Sequence, residues 1–319
     1  MPKIAYLLSF ETNIVNPRFS IRVLLALGAT LMLWSSAFAG IRAGLRAYSP
    51  LHLALLRFLI ASLVLLIYAG IAHFRRPKLR DVPALIFSGA VGITWYNIAL
   101  NYGEVRVSAG AASLLIASTP IWTALLATIA LRERLSFQGW FGVLMSFAGV
   151  ALIASGEGGG IHLSLDALII LSAATASAIY TVLQKHFLAR YNALEFTAYS
   201  IWFGTLLMLP FGAGLGHAFR TAPVGSTLAV VYLGIFPAAF AYVAWAYVLS
   251  HGSAGRTTAF LYLTPVLAIG IAWGWLGEVP QILSLIGGAI ALAGVVVVSL
   301  WGHAKPTSTL MTPAVANNH

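Results

Sequence analysis

The sequence predicts an all-α integral membrane protein with ten transmembrane helices, arranged as two inverted five-helix repeats. Three observations lead to this prediction: the composition, ten apolar segments of membrane-spanning length, and an internal repeat. The chain of 319 residues is 60% hydrophobic and only 8% charged, whereas a soluble globular domain carries about 25% charged residues. The lipid bilayer is therefore the medium that suits most of this chain. No cysteine is present, which excludes a disulfide framework and a thiolate metal site.

Ten segments meet the requirement of about 20 mainly apolar residues for a helix that crosses the hydrocarbon core. Short connections with glycine, proline or charge separate them, and the predicted spans cover 21–41, 50–73, 82–103, 108–131, 136–155, 164–187, 193–214, 226–250, 253–276 and 281–302. They are too long for barrel strands, so helices are expected. The predicted organisation is an N-terminal segment (1–20), a first repeat (21–155), a linker (156–163), a second repeat (164–302) and a polar tail (303–319).

The basic residues predict the orientation in the membrane. If the N-terminus is cytoplasmic, the outer ends hold five of the 18 Lys and Arg residues, which leaves 18 − 5 = 13 on the cytoplasmic side; the five are Arg42, Arg46, Arg57, Arg106 and Arg220. Cytoplasmic loops carry an excess of Lys and Arg, so both termini are expected in the cytoplasm. The same rule accounts for the net charge of +10 without a nucleic-acid partner, since no basic run is interleaved with aromatic residues. A chain with such short loops suits a bacterial inner membrane.

The internal repeat appears when the second half is placed on the first at an offset of 145 residues. Matches fall in one ungapped register: Ser108-Ala109-Gly110 with Ser253-Ala254-Gly255, Thr119-Pro120 with Thr264-Pro265, Glu133 with Glu278, Gly142 with Gly287, and Ala148-Gly149-Val150 with Ala293-Gly294-Val295. Each repeat has an odd number of spans, so the second copy enters the membrane in the opposite orientation. Inverted repeats are common in secondary transporters, whose solute site lies near the midplane between the halves.

The repeated motif also supports a family resemblance. It is carried by Thr119-Pro120, Leu131-Arg132-Glu133 and Gly149-Val150 within 102–154, by their copy within 247–299, by Trp34-Ser35-Ser36-Ala37-Phe38 in span 1, and by Arg57 in span 2. Over nearly its whole length the chain resembles the drug/metabolite transporter superfamily, EamA type. The resemblance implies a central cavity lined by helices 1, 3, 4, 6, 8 and 9, with helices 5 and 10 at the periphery. It also implies export of amino acids and their metabolites, or exchange of other small polar solutes. One departure is that Ser177 stands where the first copy has Trp34.

Aromatic and polar residues inside the spans are the candidates for the substrate cavity. Aromatic walls with a few polar groups suit a small, partly apolar solute. The candidates are Trp34, Trp95, Asn97, Asn101, Tyr102, Thr119, Tyr180, Tyr242, Trp245, Tyr262 and Thr264. Asn97 and Asn101 are four residues apart and share one helix face. The alternative is that the aromatics form interfacial belts and the asparagines bond between helices.

Two prolines and one arginine complete the candidate site. Pro120 and Pro265 lie mid-span, where proline kinks a helix and frees a carbonyl, and they are interpreted as hinges. Arg57 lies about seven residues into span 2. We favour a structural or snorkelling role for it near the outer interface, and the alternative is contact with an anion through its guanidinium.

Glutamates near span ends bear on the energy source. Glu133 and Glu278 precede the next helix and are interpreted as caps of its positive end. No Asp or Glu lies in the middle of a span, and Glu104 lies at the end of span 3. The sequence therefore gives no clear proton relay, and antiport, exchange and facilitated diffusion stay open.

The predicted function is a secondary transporter that exports small organic metabolites such as amino acids by alternating access. Alternatives are uptake or exchange of a nucleoside, sugar or nucleotide derivative, or a non-transport role as a membrane-embedded enzyme or accessory subunit. No catalytic residue, metal site or cofactor is predicted, because the sequence has no HExxH motif and no mid-span carboxylate pair. The expected partners are a small-molecule substrate and the lipid bilayer, and the choice between monomer and homodimer stays open.

Overall fold

A computed structural model of the protein describes residues 20–130, 136–157, 164–188, 190–251 and 260–301, and none of them lies in a β-strand. Eight helices in this part are at least 18 residues long and apolar enough to cross a membrane. Two shorter apolar segments, Phe260–Leu276 and Ile282–Val298, occupy the positions of the last two spans. The all-α prediction and the predicted order of spans are confirmed.

The ten spans are numbered α1 to α10 in chain order. They are α1 (Ile21–Leu45), α2 (Pro50–Ala72), α3 (Leu79–Gly103), α4 (Ala109–Ile116 and Thr119–Ala130), α5 (Phe137–Glu157), α6 (Leu165–Phe187), α7 (Ala193–Met208), α8 (Val224–Ile235, Phe236–Phe240 and Ala241–His251), α9 (Thr264–Leu276) and α10 (Ile282–Trp301). A short helix, Leu215–Thr221, stands between α7 and α8. The largest difference from the predicted bounds in the first repeat is at α1, which continues to Leu45.

Side-chain caps determine where equivalent helices of the two repeats begin. Ser49 accepts a hydrogen bond from the backbone N–H of His52, and Pro50 occupies the first turn of α2, where its missing N–H costs nothing. At the start of α7, Asn192 and Glu195 form a capping box, so two otherwise unpaired backbone donors are satisfied. Ser49 and Asn192 are 143 residues apart, two fewer than the main repeat offset.

Close helix contacts repeat in the same way in the two halves. A Cβ atom on Gly89 of α3 would lie 2.7 Å from the carbonyl oxygen of Ser200 in α7. In the other half, a Cβ atom on Gly234 of α8 would lie 2.7 Å from the carbonyl oxygen of Arg57 in α2. Gly89 and Gly234 are 145 residues apart, and Arg57 and Ser200 are 143 apart. The contact between α3 and α7 is thus the repeat equivalent of the contact between α8 and α2.

The buried core is continuous at one end of the bundle and divided at the other. The end where α1 stops is called the Leu45 face, and the end where α1 begins is called the Ile21 face. Toward the Leu45 face, one cluster joins residues of every span except α7. A second cluster joins α2, α3, α7 and α8 and runs from Ala54 to Leu65 along α2. Toward the Ile21 face, separate clusters join α3 with α6 and α7, α1 with α8 and α9, and α4 with α5 and α10. The largest cluster therefore lies toward the Leu45 face, and the smaller clusters toward the Ile21 face also join residues of both repeats.

Helices α5 and α10 pack against each other through glycine. A Cβ atom on Gly149 would lie 2.4 Å from the backbone nitrogen of Ala291 and 2.5 Å from the carbonyl oxygen of Gly287. Ser146 donates a hydrogen bond to the carbonyl of Ala291 at 2.9 Å. Small residues allow this close approach, so the two helices pack against each other within one chain.

Candidate substrate site

A wide helical turn in α8 creates one wall of the candidate site. Residues Phe236–Phe240 form a π-helical turn that includes Pro237. Such turns leave backbone groups outside the regular ladder. The indole N–H of Trp34 in α1 donates to the Pro237 carbonyl at 3.2 Å, so the wide turn fixes the position of the tryptophan.

Three aromatic side chains that were named above as cavity candidates lie close together beside this turn. The Trp34 ring lies 5.4 Å from the Tyr242 ring in an edge-to-face arrangement and 5.5 Å from the Trp245 ring, measured between centroids. All three side chains are partly exposed. The group of Trp34, Tyr242 and Trp245 is called the aromatic wall.

Arg57 is held inside the bundle, beside the aromatic wall. Its side chain is 8% exposed, so the snorkelling interpretation does not describe it. Nη1 donates to the Oδ1 atom of Asn97 at 3.3 Å, and the guanidinium interacts electrostatically with Tyr242, Tyr96 and Glu104. No carboxylate within the described ranges forms a salt bridge with Arg57. The positive charge is therefore buried without a paired negative charge.

The face of α3 that meets Arg57 carries further polar groups. Asn97 donates to the carbonyl of Ile93 at 2.8 Å, and Asn101 donates to the carbonyl of Pro50 at 3.0 Å. Glu104, which follows the last residue of α3, is 0% exposed. Burial raises the pKa of the Glu104 carboxyl well above its ordinary value, and the nearby charges of Arg42 and Arg57 act in the opposite direction.

An ion pair and its hydrogen bonds join α1 to two loops at the Leu45 face. Arg42 of α1 donates to the carboxylate of Glu278 through Nη2 at 2.9 Å and Nε at 3.0 Å, and its Nη1 donates to the carbonyls of Glu104 at 2.6 Å and Val105 at 2.9 Å. Glu278 in turn accepts from the backbone N–H of Ala109 at 3.4 Å. The expected cap at the start of α10 is therefore corrected, because the carboxylate of Glu278 faces Arg42 and the start of α4. Glu133, its repeat equivalent, lies outside the described residues.

Thr119-Pro120 follows an interruption in α4, and Thr264-Pro265 opens the described α-helix of α9. The hinge role of the two prolines stays a prediction. The helix of α4 stops at Ile116 and resumes at Thr119. Pro120 has no N–H for the Ile116 carbonyl, and the Thr119 hydroxyl donates to that carbonyl instead at 2.7 Å. In α9, Pro265 lies in the first turn, and the Thr264 carbonyl accepts from the Ser35 hydroxyl of α1 at 3.2 Å.

Other predicted cavity residues are not part of the aromatic wall, although Tyr180 interacts electrostatically with its Tyr242. Tyr180 packs on Phe196 and bonds with the Thr197 hydroxyl at 2.9 Å. Tyr262 packs against the cluster of α4, α5 and α10. Trp95 and Tyr102 are 52% and 43% exposed, and they lie on the side of α3 opposite to Asn97 and Asn101, given their spacing. A cavity-lining role for these four residues stays a prediction.

Arg42 was missed in the sequence, and Glu104 was noted only as a residue near a span end. Their roles depend on contacts between loops that are far apart in the chain: Arg42 and Glu278 are separated by 236 positions. The recurrence of glutamate at positions 133 and 278 of the two repeats was the sequence signal that Glu278 forms a contact within the protein.

Comparisons with known proteins agree with this architecture. The uncharacterized transporter YdfC of Bacillus subtilis is 43% identical over 276 residues, covering 86% of this chain and 90% of that protein. A probable terminal-alkyne amino-acid exporter of Streptantibioticus cattleyicolor is 42% identical over 274 residues, covering 86% of this chain and 92% of that protein. A solved crystal structure with 24% identity matches with a TM-score of 0.59 over 87% of this chain and 96% of that chain, which supports the fold alone. The EamA-like transporter family matches residues 20–155 and again 165–300, and the protein belongs to this family of integral membrane transporters.

Proposed function

We propose that the protein exports small amino acids with apolar side chains, and that Arg57 holds the carboxylate of the solute. The observation that carries this proposal is the burial of Arg57 without a paired carboxylate among the described residues. A buried cation is costly unless an opposite charge or a polar cavity compensates it. An amino-acid carboxylate supplies that charge and fits the planar guanidinium with two hydrogen bonds.

The aromatic wall is suited to the remainder of such a solute. Tyr242 interacts electrostatically with the charge of Arg57, and its ring contacts the ring of Trp34, so a cation and aromatic rings are both available to one solute. A short apolar side chain packs on such rings. The name of the Streptantibioticus cattleyicolor relative, a probable terminal-alkyne amino-acid exporter, agrees with this chemistry.

The packing also supports transport by alternating access. The largest buried cluster lies near the Leu45 face, and smaller clusters that each join both halves lie toward the Ile21 face. With both termini in the cytoplasm, as the distribution of Lys and Arg favours, the Leu45 face is external and the arrangement is an inward-facing stage. The bacterial sources of both relatives favour the cytoplasmic membrane of a bacterium.

The test uses purified protein in liposomes and L-propargylglycine, an amino acid with a terminal alkyne. We expect saturable transport that is inhibited by L-norvaline and not by butynylamine, the analogue of propargylglycine that lacks the carboxylate. Arg57→Gln should raise KM about tenfold or more, because hydrogen bonds to a charged group contribute about 1.5–3 kcal/mol. Arg57→Lys should retain part of the affinity, since it keeps the charge and loses the planar fork.

The matched control is Arg220→Gln, which removes an exposed arginine near the Leu45 face and should transport like the unmodified protein. Transport of propargylglycine that is equally strong in Arg57→Gln would refute Arg57 as the anchor. Absence of saturable transport for both propargylglycine and norvaline would refute the substrate class.

A further inference from the structure

Four buried side-chain atoms in the described part of the chain have no hydrogen-bond partner, and all four belong to three neighbouring residues. They are Nε of Arg57, Oδ1 of Asn101, and both carboxyl oxygens of Glu104. Buried polar atoms in native proteins are nearly always paired. A concentration of unpaired atoms in one region therefore indicates a place where the molecule binds something that the polypeptide does not supply.

The geometry of α3 places these groups in one line. Asn97, Asn101 and Glu104 are spaced by four and three residues, so they lie on the same face of the helix. Arg57 contacts the first of them through Asn97 Oδ1 at 3.3 Å. A polar line thus runs from the proposed anion site in the bundle to the Leu45 face.

Glu104 has basic neighbours, yet none of them binds its carboxyl group. Arg42 directs its guanidinium to the Glu278 carboxylate and to the carbonyls of Glu104 and Val105. The charged groups that act on Glu104 are Arg42, Arg57 and Glu278. Arg106 is paired instead with Asp166 at 3.4 Å. The carboxyl group is enclosed between helices of both halves without an ion pair of its own, which favours its neutral, protonated form.

We propose that Glu104 is a proton-binding site of the transport cycle, connected along one face of α3 to the anion site at Arg57. When the Leu45 face opens, the carboxylate takes a proton from a hydronium ion of the external water; one O–H bond forms on Glu104, one O–H bond of the hydronium breaks, and a water molecule is left. When the face closes, the neutral acid is buried between Arg42 and the start of α4. This proposal rests on the proposed function in one respect, which is that the anion bound by Arg57 is the carboxylate of the solute.

The connection has a definite sign. Arg57 is a cation that favours the ionised form of Glu104. A carboxylate bound to Arg57 offsets this charge, so Glu104 holds its proton more firmly when the solute is bound. Solute and proton therefore bind together, so an inward proton gradient favours uptake, and net export requires an outward solute gradient that exceeds it.

Infrared titration of the full-length protein in lipid tests the site without any solute. The chain has only 8 Asp and Glu residues, so the stretching band of a protonated carboxyl group can be assigned by substitution. We expect a band that titrates above the ordinary range of glutamate in the unmodified protein and in Asp166→Asn, a control that removes another carboxyl group at the Leu45 face. Glu104→Gln should lack the band. If that variant does not fold, Glu104→Asp should move the band and give the same assignment.

The connection is tested in the same measurement. Arg57→Gln should raise the midpoint of the Glu104 titration, and Arg57→Lys should leave it near that of the unmodified protein. A band that persists in Glu104→Gln, or a midpoint that is the same in Arg57→Gln, would overturn the proposal. Addition of L-propargylglycine should raise the midpoint in the unmodified protein. If propargylglycine binds and the midpoint of the Glu104 titration does not rise, the connection is also overturned. If propargylglycine does not bind, the result counts against the proposed substrate class alone.

Discussion

Gly92 of α3 makes room for the ring of Tyr180 in α6. A Cβ atom at this position would lie 2.3 Å from the ring and 2.7 Å from the Cβ atom of Tyr180. The tyrosine cannot relieve this overlap by moving the end of its side chain alone, because its hydroxyl is bonded to Thr197. The absence of a side chain at position 92 is thus a requirement of packing between α3 and α6.

Gly92→Ala should therefore destabilise the protein by about 1–3 kcal/mol, the usual range for overpacking. The measurement is thermal unfolding in detergent, compared with Gly70→Ala. Gly70 lies in α2 with nothing within 4 Å of its added Cβ atom, so that control should be neutral or stabilised by up to about 1 kcal/mol. Equal unfolding temperatures for the two variants would contradict this account of Gly92.

For single residues, the sequence predicted the position along a helix better than the side of the helix that faces the bundle interior. The position of Arg57 along span 2 was correct, but the hydropathy of α2 gives no information about which side faces α8. Burial of the arginine depends on contacts such as that between Gly234 and its carbonyl. Glu104 was placed at the end of span 3 in the sequence, and the structure buries it beside Arg42, which binds its carbonyl.

The Thr119-Pro120 pair shows how an interrupted helix is stabilised. Proline removes the donor to the Ile116 carbonyl, and the adjacent threonine hydroxyl replaces that donor. The two residues therefore act as a unit. The sequence predicted the freed carbonyl from the position of proline, but it did not identify which group would bind it.

A double-mutant cycle measures this unit. Thr119→Val should cost about 0.5–1.5 kcal/mol in the free energy of unfolding when Pro120 is present. The cost should be smaller in the Pro120→Ala background, where the backbone N–H can bind the same carbonyl. Pro120→Ala alone should slow transport of propargylglycine while the protein stays folded, because the interruption in α4 is lost. Additive free energies in the cycle would show that the two residues act independently.

The whole molecule follows the inverted repeat that the sequence predicted. The offset of 145 residues was sufficient to locate equivalent spans, because glycine and Thr-Pro matches cannot arise from apolar composition alone. The two-residue shift of this offset at Ser49 and Asn192 was not predicted, since the first two spans of each repeat share few residues. The division of the core toward the Ile21 face was also not predictable, as it depends on how the halves are rotated relative to each other.

Accessibility to reagents tests the orientation, and the absence of native cysteine makes single labelling sites possible. Arg220→Cys, in the short helix near the Leu45 face, should react with a membrane-impermeant maleimide in intact cells. Arg76→Cys, between α2 and α3, should react only after the membrane is permeabilised. The reverse pattern would place both termini outside.

Cysteine labelling also reports the opening of the Leu45 face. Ala112 is 0% exposed in the continuous core, so Ala112→Cys should be protected from the same maleimide. Adding Glu278→Gln removes the partner of Arg42 and should speed the labelling of position 112, because the contact between α1, α4 and the end of α9 is weakened. Unchanged protection would mean that the ion pair does not hold this end closed.

The equivalence of Arg57 and Ser200 has a consequence for how such a transporter can arise by gene duplication. An ancestral pair of identical five-helix chains in opposite orientations would carry arginine at both positions or at neither. Two buried cations in one protein of this size would each require a compensating charge. Fusion of the duplicated genes removes this constraint, because each copy then mutates independently. The fused chain retains one arginine in one copy and a small serine, which packs closely on Gly89, in the other.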